Sequence, residues 1–270
     1  MSEVDAIDSV EDPVTVERIV DDLRALGVEA GDTLLVHGSL RELGWVAGGA
    51  QAVVDGLQRT VTEEGTIVMP SHSTQYSDPS AWTSPPVPDH WPEQIREHMP
   101  PFRPEVTPTR GMGAIAECFR DYPESRRSRH PLYSFTAWGA GRDEIVDDHR
   151  FEDGLGEGSP LARVYDRGGS VLMLGTDFAT CTSLHLAEYR ADYEKERVEA
   201  GAPVLRDGER VWVEWADIDI DEEDFPEAGE AFENAHPDAV ETGKVGAATA
   251  KLVDQAPLVD FAVDWFEEHR

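Results

Sequence analysis

A histidine and a glutamate stand three residues apart in TSLHLAEYR (182–190), directly after the strand-like run SVLMLGT. On a helix, residues three apart share a face, so Glu188 can accept a hydrogen bond from one ring nitrogen of His185. A ring held in that way has a fixed tautomer, and its other nitrogen is left to act as a general base. The carboxylate would also stabilise the imidazolium that proton transfer produces. An amphipathic helix that carries both residues for packing explains the same letters, and spacing alone leaves the two readings open. Thr182 or Ser183 stands where a helix cap is expected.

Other reactive side chains are weaker candidates. Cys181 precedes His185 by four residues, the arrangement of a thiol–imidazole nucleophile. A small apolar residue at the end of a strand is the simpler reading. GEGSP (156–160) has Pro160 where a nucleophile elbow needs its last glycine, so covalent catalysis is disfavoured. No HExxH motif occurs. A metal-dependent hydrolase would have to assemble His185 and Glu188 with the loop histidines His72, His90 and His98, and no metal is expected. Neither a Walker A motif nor a GxGxxG after a strand is present. Positive charge gathers at Arg126, Arg127 and Arg129, with Arg110 beside GMG. Backbone amides of HGSL (37–40) and GMG (111–113) near helix starts would complete an anion cradle for a phosphate-bearing cofactor.

The elements that must position these residues follow from periodicity. TVERIVDDLRAL has apolar residues at helical spacing and stops at Gly27. DTLLVHGSL reads as a strand, AQAVVDGLQRTV as a helix, and EGTIVMPSHS as a second strand. That βαβ-like opening predicts an α/β fold with ligands at the C-terminal ends of strands. From Ser73 to Pro108 the chain is rich in proline, histidine and tryptophan, the texture of an ordered functional loop. RGMGAIAECFR enters a helix, RRSRHPLYSFTAWG is a turn and strand, and LGEGSPLARVYDRGG a short helix. SVLMLGT is a buried strand feeding the helix CTSLHLAEYRADY. APVLRD and RVWVEW read as strands, and VGAATAKLVDQA and PLVDFAVDWFEEH as helices. No internal repeat is found. The expectation is an α/β protein in which a mixed central sheet is flanked by helices, with an acidic tail over 1–13 and one large domain over 14–270.

Composition narrows the partners. Asp and Glu number 55 against 23 Lys and Arg, a formal charge of −32 over 270 residues. Such a chain repels nucleic acid and anionic membranes. Its acidity runs through the whole sequence, the pattern of proteins from salt-accumulating halophiles, where cations screen self-repulsion. No apolar run approaches the roughly 20 residues of a membrane span, and no signal-peptide core opens the chain. A cytoplasmic protein is expected, with Cys118 and Cys181 as unbridged thiols. The oligomeric state is open, a homodimer included.

Taken in order, GDTLLVHGSLRELGWVAGGAQAVVDGL, EGTIVMPSHS, PTRGMGAIAECFR, RRSRHP, LGEGSPLARV and GGSVLMLGTDFATCTSLHLAEYRAD resemble the aminoglycoside 3-N-acetyltransferase family, whose fold differs from the common GNAT acetyltransferases. The resemblance covers most of the chain from about Val14 onward, and its T-S-x-H-x-A-E block is the specific part. It implies acetyl transfer from acetyl-CoA to an amine of an aminoglycoside or related small molecule, without a metal, and a link to antibiotic resistance. His185 matches the family's base and Glu188 its partner. Ser39, Leu40, Arg110, Gly111, Met112 and Gly113 match parts of the CoA site, with His130 of the HP pair near the cofactor. Asp78 matches a substrate-side carboxylate. The 73–108 loop and the acidic stretch DIDIDEEDFPEAGEAFE depart from the resistance enzymes, which bears on the acceptor. A non-catalytic binding protein on the same fold is the remaining alternative.

Overall fold

Strands that are apolar on both faces need helices on both faces, and the sequence supplies them. The computed structural model describes residues 3–270. Its first half runs α1 (Glu3–Asp8), α2 (Val16–Ala25), β1 (Thr33–Gly38), α3 (Gly49–Val61), β2 (Thr66–Pro70), α4 (Pro92–His98), α5 (Gly113–Arg120), β3 (Arg126–Arg127) and β4 (Phe135–Gly139). The second half is α6 (Arg142–Val146), α7 (Pro160–Asp166), β5 (Ser170–Leu174), α8 (Ser183–Arg190), β6 (Arg197–Arg206), β7 (Glu209–Ile218), α9 (Phe225–Ala235), β8 (Val240–Val245), β9 (Ala248–Asp254) and α10 (Gln255–His269).

The central sheet has the order β3-β4-β2-β1-β5-β9-β8, and β6 with β7 forms a separate hairpin. β1 runs parallel to both β2 and β5. β4 and β9 join antiparallel on either side. The mixed α/β architecture expected from the sequence is therefore the one found. Side chains alternate along each strand. Leu35, Val68, Val171 and Met173 enter one core layer with α7, α8 and α10. Leu34, Val36, Ile67 and Leu172 enter the other, with α2, α3 and α5. The chain leaves β1 for β2 on one side and later returns with β5 on the other. This makes β1 the switch point where open α/β sheets bind ligands.

Two local expectations change. VGAATAKLVDQA does not form a helix: most of it is β9, paired with β5 in the register Leu172↔Leu252 and with β8 through a turn at Gly246. Alanine-rich residues favour helix weakly, and pairing to a buried strand outweighs that preference. The first thirteen residues include α1, and Val14 then pairs with Val46. The 73–108 loop is ordered against the hairpin, where Phe102 N donates to Pro203 O at 2.8 Å and Arg210 Nε to Met99 O at 2.7 Å. No described helix is long and apolar enough to cross a membrane.

Candidate active site

A cavity of about 1000 Å³ opens at the C-terminal ends of β1, β2 and β5. Each of these strands brings a histidine to its wall: His37 near the end of β1, His72 just after β2, and His185 in the first turn of α8 after β5. The three differ in their surroundings. Burial pushes His37 down to about 4. Burial likewise takes His72 to about 3, with the positive potential of His185, His130, His37 and Arg127 adding to the effect. Both are therefore neutral near pH 7. Among the described residues neither is paired with a carboxylate.

His185 is paired with one. Its Nδ1 lies 2.8 Å from Glu188 Oε2, and Glu188 is completely buried. An ionised carboxylate only accepts, so His185 donates from Nδ1 and keeps its lone pair on Nε2. The other carboxylate oxygen, Oε1, accepts from Arg270 Nη1 at 2.8 Å and from the Asp221 backbone N–H at 2.8 Å, with Tyr193 OH at 3.5 Å. The Phe225 ring meets the imidazole edge-on, with centroids 4.8 Å apart, and shields it from solvent. What results is a buried, oriented imidazole with a fixed tautomer, on the wall of a cavity large enough for two ligands. Thr182 takes the N-cap position of α8 without a side-chain cap bond; its Oγ1 lies 3.4 Å from His37 Nε2.

The family model for aminoglycoside 3-N-acetyltransferase matches residues 35–267. The chain belongs to that family. The SPbeta prophage-derived aminoglycoside N(3')-acetyltransferase-like protein YokD of Bacillus subtilis (strain 168) is 50% identical over 261 residues, 96% of this chain and 95% of that protein. The YokD crystal structure superposes with a TM-score of 0.96 at 48% identity, covering 98% of both chains. AAC-IIIb in a binary complex with CoASH gives 0.85 at 31% identity over 95% of this chain and 97% of its own. AAC-VIa bound to sisomicin gives 0.84 at 35% identity over 96% and 99%. As a member of this acetyltransferase family, the protein is an N-acetyltransferase.

Within the family frame, the residues singled out from sequence separate into two groups. Ser39, Leu40, Gly111, Met112 and Gly113 line the cavity together with His185. Gly113 has φ +82°, a conformation glycine adopts without strain, and it lets the loop enter α5 beside Gly38 O. Arg110 is exposed and off the cavity wall, its backbone N–H spent on His72 O at 2.8 Å. His130 is fully buried and also off the wall. Its Nδ1 accepts from the N–H groups of Leu132 (3.1 Å) and Tyr133 (3.0 Å), and burial pushes it to about 3. It shapes the turn that presents Tyr133 to the cavity. Asp78 also lies off the wall, paired in two hydrogen bonds of 2.7 Å with Arg96.

The proposed anion cradle is largely used up internally. Arg127 is buried and donates to Thr107 O, Ser71 O and Ser134 Oγ, while Arg126 bridges Asp143 and Asp147. The Ser39 N–H donates to Leu174 O at 2.9 Å. Cys181 is fully buried, and its thiol is pushed up to about 12 by desolvation, which removes it as a nucleophile. His90 and His98 are exposed and apart from the cavity, so they do not join His185. Among the described residues no group of three or more His, Cys, Asp or Glu is arranged around a metal position. Sequence reasoning missed His37, Tyr193, Phe225 and Arg270.

Proposed function

We propose that the protein transfers an acetyl group from acetyl-CoA directly to an amine of an aminoglycoside or a related polyamine, with His185 as general base. The observation that carries this reading is the buried His185–Glu188 pair on the wall of the switch-point cavity. His185 Nε2 takes the proton from the attacking amine as a carbon–nitrogen bond forms at the acetyl carbonyl; the carbon–sulfur bond then breaks, and the sulfur takes that proton from the imidazolium to leave as the thiol. Glu188 keeps Nδ1 protonated and stabilises the imidazolium. General-base assistance of this kind contributes about 10²–10⁴-fold in rate. The rest comes from holding both substrates in line. CoA enters beside Leu40 and the Gly111–Gly113 loop. The acceptor occupies the end bordered by Thr74, Tyr133, Ile220 and Glu222.

This reading places the enzyme in the cytoplasm, where acetyl-CoA is made and used. The acid-rich surface suits a high-salt interior, with resistance to an aminoglycoside as one use of the reaction. The test is thiol release from acetyl-CoA in molar KCl with sisomicin and with simple polyamines. Amine-dependent release that is lost in His185→Ala supports the proposal. Amine-dependent release that survives in that variant removes the base assignment, and no release with any amine removes the acceptor class.

A further inference from the structure

Glu188 is fully buried, and a carboxylate without a counter-charge is among the costliest groups a fold can hold. His185 carries positive charge only after it has taken a proton. While the ring is neutral, the charge of Glu188 must be met from elsewhere. Arg270 meets it. Its side chain is 9% exposed, and Nη1 lies 2.8 Å from Glu188 Oε1. The same guanidinium donates to Tyr193 OH at 2.9 Å, to Asp221 O at 2.6 Å and, through Nε, to Asp224 Oδ2 at 2.8 Å. It also lies over the Phe266 ring, 4.1 Å from the centroid. Four pieces of chain thus close around one carboxylate: α8, the segment after it, the turn before α9, and the end of α10.

This arrangement makes the two oxygens of Glu188 inequivalent. Oε1 receives Arg270, the Asp221 N–H and Tyr193, which leaves Oε2 alone for His185. A carboxylate pinned on one oxygen cannot rotate to share both with the imidazole. Arg270 lines no part of the cavity, and its direct bond to the catalytic pair is the one to Glu188.

We propose that Arg270 is the positioning residue of the base, clamping Glu188 so that Oε2 fixes the His185 ring and turns Nε2 to the acceptor. The proposal rests on the assignment of His185 as base made above.

The full-length variants Arg270→Gln and Arg270→Lys test it by two independent readouts. One is kinetics with acetyl-CoA and sisomicin. In Arg270→Gln, kcat falls by about tenfold or more, a share of the 10²–10⁴ that a positioned base supplies. Both KM values stay within about twofold, because nothing in the cavity is removed. Arg270→Lys keeps the charge but not the fork that also holds Asp221 and Asp224, so it recovers kcat only in part. The other readout is the hydrogen-bonded Nδ1 proton of His185 by NMR in the free protein, identified by its loss in His185→Ala. That signal weakens in Arg270→Gln and is restored in part in Arg270→Lys. A folded Arg270→Gln protein with wild-type kcat and an unchanged Nδ1 signal overturns the proposal. Should Arg270→Gln fail to fold, Asp224→Asn loosens the same guanidinium from its other carboxylate. It lowers kcat in the same direction by a smaller factor, and a wild-type value there overturns the proposal equally. The NMR arm needs no turnover. Wild-type protein that is silent with sisomicin therefore counts against sisomicin as acceptor alone, and the Nδ1 signal still decides the role of Arg270.

Discussion

His185 Nδ1 and Glu188 Oε2 are 2.8 Å apart, with the imidazole 4% and the glutamate 0% exposed. A hydrogen bond so far from solvent is neither screened nor exchanged for water, so it holds one tautomer. His185→Ala is expected to lower kcat by about 10²–10⁴-fold. Glu188→Gln keeps the shape but can present an amide N–H to Nδ1, which favours the tautomer whose Nε2 carries the proton. A loss of kcat of at least about tenfold is expected there, with both KM values little changed. Thiol release from acetyl-CoA measures it, and a fully active Glu188→Gln enzyme would end the orienting role of the carboxylate.

The same glutamate is also structural. Removing one partner of a buried ion pair leaves the other charge without compensation, at a cost of about 3–5 kcal/mol. Among the described residues, Glu188→Ala leaves the 9%-exposed Arg270 side chain with Asp224 as its one charged partner. Urea unfolding is expected to show that loss. A drop below about 1 kcal/mol would mean that Asp224 alone satisfies the guanidinium.

Four of the five buried histidines among the described residues set the acid limit of the fold. His37 is held to about 4, His72 and His130 to about 3, and His149 well below its ordinary value, in each case chiefly by burial. In the unfolded chain each titrates near 6.5. Below that value the unfolded state binds more protons than the folded one, so stability falls as pH falls, by about 1.4 kcal/mol per unit and per histidine. Above about pH 7 these groups contribute no slope. Urea midpoints at pH 7.5, 6 and 5 are expected to decline with a slope approaching four protons. His37→Gln should reduce it by about one. Equal midpoints across that range would contradict the neutral assignment.

How much of this was legible in the sequence depended on distance along the chain. His185 and Glu188 are three residues apart, so helical geometry alone places them on one face. Arg270 is 82 residues from Glu188, and no local pattern links the two. Phe225 reaches His185 from an acidic stretch whose composition suggested only surface. Arg127 resembled an anion ligand because sequence does not show which carbonyls a buried guanidinium will meet, here those of Thr107 and Ser71. VGAATAKLVDQA carried helix-forming letters and became a strand because β5 needed an antiparallel neighbour. The strands and helices framing the site were legible from period alone. The partners that tune the site were not.

Net charge leads to a different expectation. A formal charge of −32 on 270 residues destabilises the compact state by self-repulsion, which salt reduces. The melting temperature is expected to rise by several degrees, order of magnitude, from 50 mM to 2 M KCl. A lower value in 2 M KCl would argue that surface ion pairs such as Arg126–Asp143 outweigh the repulsion.

The acceptor end of the cavity can be located by comparing two carboxylates. Glu222 borders the cavity and is exposed, free to meet an ammonium group of a polycation. Asp78 is off the wall. Burial would raise its pKa, but the hydrogen bonds from Arg96 and Ser80 outweigh this and hold it below the usual carboxylate range. Its charge is already matched, so it has little left to offer a ligand. Glu222→Gln is expected to raise the KM for sisomicin about fivefold at low salt, in keeping with about 1 kcal/mol for an exposed ion pair. In molar KCl the difference should shrink, because the pair is screened. Asp78→Asn is expected to alter that KM by less than twofold while lowering the protein's melting temperature, because the two bonds from Arg96 within the 73–108 loop are weakened. If Asp78→Asn instead has the larger effect on KM, Arg96 must release Asp78 when the acceptor binds. The acceptor would then lie against the 73–108 loop and not against the turn before α9.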